Sequence, residues 1–262
     1  MHEILRQLRE RSFVLDLGCA RGSFRRDATR AVPVRFDREV ANRAPGEICV
    51  IGDAARLPFR DGSFSAIVAN HSLEHFDDFH ASIGEAGRVL KPDGAMYVAV
   101  PDASTFTDKL YRWLARGGGH VNAFMSAPEL AATIETVTGL KHAATRNLCS
   151  SLSFLNCRHA PRPRPRRALL VGAGYEWPSF LYVWMSRRLD RLFHWRTSSY
   201  GWAFYFGDVA APIDTSAAVN VCIRCGSGFS GAVLRRAGIS RSFLFMIYRC
   251  PDCGAANPFV DE

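Results

Sequence analysis

Continuous apolar runs and helix-spaced apolar positions take turns along this chain. Phe13 to Leu17, Val32 to Phe36, Ile48 to Ile51, Ser65 to Ala69 and Ala95 to Val100 are short and largely apolar. Such runs predict strands buried on both faces of a parallel sheet. Between them lie segments of helical spacing. Ile4 to Arg11 predicts a short helix, and Ser23 to Arg30 a second after the glycine turn. Phe79 to Leu90 carries Ile83, Ala86, Gly87 and Leu90 on one face, and Lys91-Pro92-Asp93-Gly94 stops it. Pro128 to Thr138 predicts another helix, with Ser126 as its cap. Strands alternating with helices predict an α/β fold with a doubly wound, mostly parallel sheet.

After Leu140 the pattern changes. Leu148 to Phe154 and Tyr200 to Phe206 read as strands, and Ser179 to Trp195 as an amphipathic helix with a basic side. Arg158 to Arg167 alternates Arg and Pro, which predicts an extended linker. The loop from Asp102 to Met125 and the insertion from 158 to 198 are expected to roof the acceptor side, because little chain precedes the first strand. The stretch Ala168 to Met185 is apolar but broken by Glu176 and Pro178, so a membrane span is not expected.

Charge changes this picture only locally. The formal net charge is +8, yet Cys157 to Ser198 alone holds nine arginines against Glu176 and Asp190. A global nucleic-acid-binding character is therefore not expected. This segment can be a solvated insertion, a membrane-surface contact through Phe180, Leu181, Trp184, Met185, Phe193 and Trp195, or a nucleic-acid contact.

Candidate chemistry begins at the strand ends. Asp16-Leu17-Gly18-Cys19-Ala20-Arg21-Gly22 is a strand end running into a glycine turn. Asp37 ends the second apolar run, and Asp53, followed by Ala54, comes after the third. A carboxylate leading the glycine turn would repel a pyrophosphate and attract a cationic amino acid group. With Gly52 to Phe59, Asp61-Gly62-Ser63-Phe64, Asn70-His71-Ser72-Leu73-Glu74-His75-Phe76 and Glu85 to Gly94, these residues resemble the class I S-adenosylmethionine (SAM) dependent methyltransferases of type 11, over about residues 1 to 150.

The resemblance implies a Rossmann-like, seven-stranded sheet and SAM as cofactor. It places Asp16, Gly18, Ala20 and Gly22 at the methionine moiety and turn, Asp37 at the ribose diol, Asp53 and Ala54 at the adenine, and Asn70 near the methyl donor. Ala20 stands where many relatives carry Gly. A hydroxyl acceptor needs a proton acceptor, and His75 and His120 are the candidates, with His71 beside them. No Asn/Asp-Pro-Pro-Tyr/Phe signature follows the fourth strand, which argues against the exocyclic-amine enzymes that bear it.

Cys222-x-x-Cys225 and Cys250-x-x-Cys253, each followed by Gly, resemble a zinc ribbon. Four thiolates suit a closed, structural Zn2+ site. Cys19, Cys49, Cys149 and Cys157 lack such spacing and read as ordinary thiols. The expected organisation is a methyltransferase domain over 1–210, with the insertion 158–198, and a zinc-ribbon module over 219–257. The expected acceptor is a small molecule, saccharide or lipid-linked glycan, methylated at oxygen. RNA or protein methylation, with docking through ribbon and arginines, and a non-enzymatic SAM-binding role stay open. Cysteine usage and the absence of a leader pattern favour a cytoplasmic setting, with peripheral membrane contact through 179–195 as an option.

Overall fold

Five of the apolar runs form strands at or near their expected bounds: β1 Phe13–Leu17, β2 Val32–Asp37, β3 Ile48–Ile51, β4 Phe64–Asn70 and β5 Leu90–Pro101. The computed structural model describes residues 1–19, 22–39, 46–114, 119–155, 175–210, 212–215, 219–242 and 244–261. With β6 (His142–Cys149) and β7 (Ser199–Gly207), these strands make a seven-stranded sheet of order β3-β2-β1-β4-β5-β7-β6. β1 pairs in parallel with β2 and β4, β2 with β3, and β4 with β5. This is the doubly wound, mostly parallel architecture read from the sequence.

The chain divides into two compact units. The first comprises Met1–Asp102, Gly119–Arg146 and Trp202–Thr215. Its helices are α1 (His2–Gln7), α2 (Phe79–Val89) and α4 (Ala127–Thr138). The core gathers Leu15, Phe36, Ile67, Met96, Ile134 and Phe204 among others, all buried. Asp78 caps α2 by accepting from the Ala81 amide, and Ser126 caps α4 by accepting from that of Glu129. Residues 91–94, expected only as a helix stop, lie inside β5. The register slips there, from Phe64 opposite Leu90 to Ala66 opposite Ala95, so the turn residues bulge from a continuing strand.

The helix expected over Ser23 to Arg30 does not form. A single 3-10 turn, Arg26–Ala28, stands in its place. Side chains have taken the backbone groups a helix would use. The Arg35 Nη2 group donates to the Phe24 carbonyl at 2.7 Å, and Asp16 Oδ2 accepts from the Ser23 amide at 2.9 Å.

The second unit comprises Ala103–Gly118, Asn147–Gly201 and Ser216–Glu262. It holds α3 (Phe106–Leu114), α5 (Glu176–Phe193) and the cysteine module, with β8 (Asn220–Val221), β9 (Gly228–Phe229), α6 (Gly231–Ala237), β10 (Ile239–Ser242), β11 (Phe245–Arg249) and β12 (Ala256–Pro258). The segment 148–154 is no strand of its own: β6 ends at Cys149, and Ser153–Leu155 is a 3-10 turn. No helix among the described residues is long and apolar enough to cross a membrane. The Arg-Pro linker lies outside the described residues.

The basic side of α5 is partly internal. Arg187 is buried and donates to the carbonyls of Val219, Ser198 and Ser150. Arg188 lies over the Trp184 ring at 4.6 Å. The apolar face divides as well. Phe180 and Trp184 pack on Phe245, whereas Leu181, Met185, Phe193 and Trp195 are exposed.

Candidate active site and cysteine cluster

The glycine turn after β1 is built for close approach. The Gly18 and Cys19 amides both donate to the Phe36 carbonyl, at 2.8 and 3.1 Å, which folds the turn onto the end of β2. Ser72 Oγ donates to the Leu17 carbonyl at 2.9 Å. Gly18 has φ +68°, and a Cβ there would lie 2.4 Å from Ser72 Cβ. Only glycine fits. Ala20 lies outside the described residues. Gly22, at φ +99°, turns the chain against the Arg35 guanidinium.

Asp16 is fully buried and stands opposite Arg35 in the β1–β2 register. Its Oδ2 accepts from the Ser23 amide at 2.9 Å and pairs with Arg35 Nη1. Burial pushes this carboxyl up, and the Ser23 and Arg35 hydrogen bonds oppose that push. Its Oδ1 is buried and has no hydrogen-bond partner among the described residues. A buried carboxylate oxygen left over in this way fits a donor group on a bound ligand, and the ammonium of SAM is one.

The other residues expected on the donor side lie at neighbouring strand ends. Asp37 closes β2; its carbonyl accepts from the Gly52 amide and its Oδ1 from that of Glu39. Asp53 follows β3 and accepts from the Ala55 amide at 3.1 Å, while Arg38 stands 3.7 Å away and also pairs with Asp77. Ala54 is buried beside it. Asn70 closes β4 opposite Ala99. Since β3, β2, β1 and β4 are adjacent in that order, Asp53, Asp37, Gly18 and Asn70 line one edge of the sheet at its carboxyl end.

The two histidine candidates meet. After Asn70 the chain passes through His71, with φ +54°, into the 3-10 turn Leu73–His75. The loop at 119–122 is tied to that turn. His75 Nδ1 lies 3.0 Å from the Gly119 carbonyl, and the Val121 and Asn122 amides donate to the Glu74 carbonyl. Asn122 Nδ2 donates to the carbonyls of Leu73 and Phe76. The His75 and His120 rings stand edge to face with centroids 4.8 Å apart. Glu74 is buried beneath them, its Oε1 3.8 Å from His71 Nδ1. Burial first, then the His120 and His75 charges, lowers His71 to about 4, so it is neutral near pH 7.

In the second unit the four predicted cysteines converge. Cys222 Sγ lies 3.6 Å from Cys253 Sγ, and Cys225 Sγ 3.6 Å from Cys250 Sγ; none is in a disulfide. Four thiolates around one Zn2+ sit about 3.8 Å apart, given a Zn–S bond of about 2.3 Å. The two knuckles share one backbone pattern. The Gly226 amide donates to the Cys222 carbonyl and the Gly254 amide to the Cys250 carbonyl, and both glycines have positive φ. The donor set and its spacing fit a closed, structural zinc site.

Four contributing residues escaped the sequence reading. Arg35 interrupts an apolar strand, and a charge there needs a buried partner, a signal that pointed to Asp16. Asn257 is buried, accepting from the Ile223 amide and reaching Cys222 Sγ at 3.6 Å. Asn122 and Arg187 serve carbonyls distant in sequence, and no local pattern marks them.

Residues 15–98 match the family model of the type 11 methyltransferase domain. A malonyl-[acyl-carrier protein] O-methyltransferase of Methylococcus capsulatus is 30% identical over 181 aligned positions, covering 60% of this chain and 66% of that protein. A demethylmenaquinone methyltransferase of Corynebacterium glutamicum is 44% identical over 50 residues, covering 19% and 22%. The chain thus spans less than two thirds of either relative. Among solved structures, a candidate methyltransferase from an antibiotic biosynthesis pathway of Anabaena variabilis superposes with a TM-score of 0.51 at 14% identity, covering 78% of this chain and 93% of that one. A candidate sarcosine dimethylglycine methyltransferase from Galdieria sulphuraria does so at 0.50 and 18%, covering 79% and 80%. These two likenesses carry the fold alone. A sheet of this order, with Gly18 closed to any side chain and a methyltransferase family match running through its first five strands, shows that this chain carries a class I SAM-dependent methyltransferase domain.

Proposed function

We propose that this chain transfers the methyl group of SAM to an oxygen of a small-molecule acceptor. The observation that carries the reading is the meeting of His75 and His120 on the loops that follow Asn70, beyond a donor edge lined by Asp16, Asp37 and Asp53. SAM supplies a methyl group on a sulfonium, already activated for in-line displacement. The chain's own residues then align, exclude water and handle one proton. Asp16 Oδ1 holds the ammonium, Asp37 the ribose hydroxyls, and Asp53 with Ala54 the adenine. The imidazoles of His75 and His120 face the acceptor, where either can take a hydroxyl proton or fix the hydroxyl in place. The name of the Methylococcus relative, an O-methyltransferase, favours oxygen as the acceptor atom. The four cysteines hold a structural Zn2+ that folds their module.

The test is incubation of the purified protein with methyl-labelled SAM and fractionated host lysate. Label in a small-molecule fraction, cut about 100-fold or more by His120→Ala with SAM binding unchanged, supports the proposal. Label only in RNA or protein would assign the second unit a docking role and overturn it. Donor binding without turnover on any fraction would leave a SAM-binding protein.

A further inference from the structure

We propose that Glu74, His75 and His120 form a binding site for a divalent transition-metal ion, distinct from the four-cysteine cluster. These three side chains each offer one ligand atom, and the three atoms lie within 4.8 Å of one another. Around a bound ion, donors at about 2.0–2.2 Å from the metal stand roughly 3–4 Å apart, so a small side-chain closure suffices.

Two features mark the cluster as built. The first is the frame. Five hydrogen bonds join the turn at 73–76 to the loop at 119–122: His75 to the Gly119 carbonyl, the Val121 and Asn122 amides to the Glu74 carbonyl, and Asn122 Nδ2 to the carbonyls of Leu73 and Phe76. Ligands that are distant in sequence are thereby held in one place. The second is the tautomer. Donation of Nδ1–H to the Gly119 carbonyl fixes the tautomer and the orientation of the His75 ring. A backbone carbonyl orients metal-bound histidines in this same way.

The donor set selects the ion class. Two imidazoles and one buried carboxylate suit a borderline first-row ion such as Co2+, Zn2+ or Mn2+, and are poor for Mg2+ or Ca2+, which prefer all-oxygen shells. Three protein ligands leave positions open for an acceptor oxygen. An ion there lowers the pKa of a bound hydroxyl, whose proton then passes to solvent before its oxygen attacks the methyl group, so the two histidines act as ligands and neither has to serve as base. This role rests on the acceptor-side reading above. Metal binding itself is read without SAM or acceptor, so the two can fail separately.

Metal-free full-length protein titrated with Co2+ tests it. Thiolate-bound Co2+ gives intense charge-transfer absorption, whereas a nitrogen and oxygen site gives only weak d–d bands. The expected result is a thiolate-bound equivalent followed by a second, weakly absorbing one. His120→Ala and His75→Ala should abolish the second and leave the first. Asn122→Ala should weaken it about 10–100-fold. His80→Ala, on the exposed face of α2, should change neither. Should a histidine variant fail to fold, electron paramagnetic resonance of Cu2+ at the second site of the wild type decides. Coupling to two nitrogens supports the site. Absence of a second equivalent, absence of nitrogen coupling, or a second equivalent indifferent to folded His75 and His120 variants overturns it.

Discussion

The seven-stranded sheet and the cysteine module solve the same problem from opposite resources. The sheet buries large apolar side chains from its parallel strands, from β7 and from two flanking helices, Ile67, Phe204 and Phe206 among them, and needs no ion to hold together. The module has two small clusters. One consists of Cys222, Cys250 and Ala255 with Cys225, Cys253 and Phe229 against them; the other centres on Leu234, Tyr248 and Phe259. Sulfur replaces hydrocarbon at the centre of the first. A segment of this size cannot offset its chain entropy by burial alone, so the Zn2+ proposed for its four cysteines would be part of its fold.

The largest effect separates the two regions outright. Chelation, or Cys250→Ser, should unfold the module, since structural zinc contributes roughly 10–16 kcal/mol in small modules. Hydrogen exchange should then show amides 219–261 losing protection while those of β1, β4 and β5 keep theirs. Retained protection in the module would dissolve the contrast. Next in size is the buried pair under the donor turn. Arg35→Met strands the Asp16 charge and should cost the sheet about 3–5 kcal/mol in urea unfolding, with part recovered by adding Asp16→Asn. A cost below about 1 kcal/mol would mean that the pair is not what holds the turn. Gly18→Ala forces a methyl against Ser72 at positive φ. It should destabilise by about 1–3 kcal/mol and weaken SAM binding about tenfold or more, measurable by calorimetry.

The smallest effect is acid sensitivity in the second unit. Burial alone would raise the Asp190 carboxyl, but hydrogen bonds from the Ser198 and Thr197 hydroxyls and amides outweigh it and hold the group low. Its stabilisation is therefore full above the ordinary aspartate value of 3.8 and is lost as pH falls through the lower folded value. Asp190→Asn should flatten that part of the acid unfolding curve. An unchanged curve would assign the acid sensitivity elsewhere.

What the sequence made legible follows the same division. β1 and β3 match their apolar runs end to end; β1, buried from Val14 to Leu17, leaves a continuous signature, whereas β3 is an edge strand with Ile48 and Ile51 exposed and was legible through its β-branched residues. The Cys-x-x-Cys pairs were equally plain, since metal geometry fixes their spacing. α3 and β6 were missed. α3 buries Thr107 and Asp108, so its inward face is partly polar. Most of β6 is only half-buried and lacks a run of apolar residues. The helix over 23–30 was expected on local pattern, yet Asp16 and Arg35, one on each flanking strand, captured its backbone groups. At the candidate site the strand-end carboxylates could be read in order. The meeting of His75 and His120 depended on Asn122, whose partners only the fold reveals.

The most direct test of the central claim, that the strand-end cradle holds SAM, is calorimetric titration of the full chain with SAM, alongside Asp37→Ala. Saturable binding in the wild type, weakened about 10–100-fold by loss of the Asp37 carboxylate, is the predicted result. No saturable binding, or equal affinity in both proteins, would contradict it.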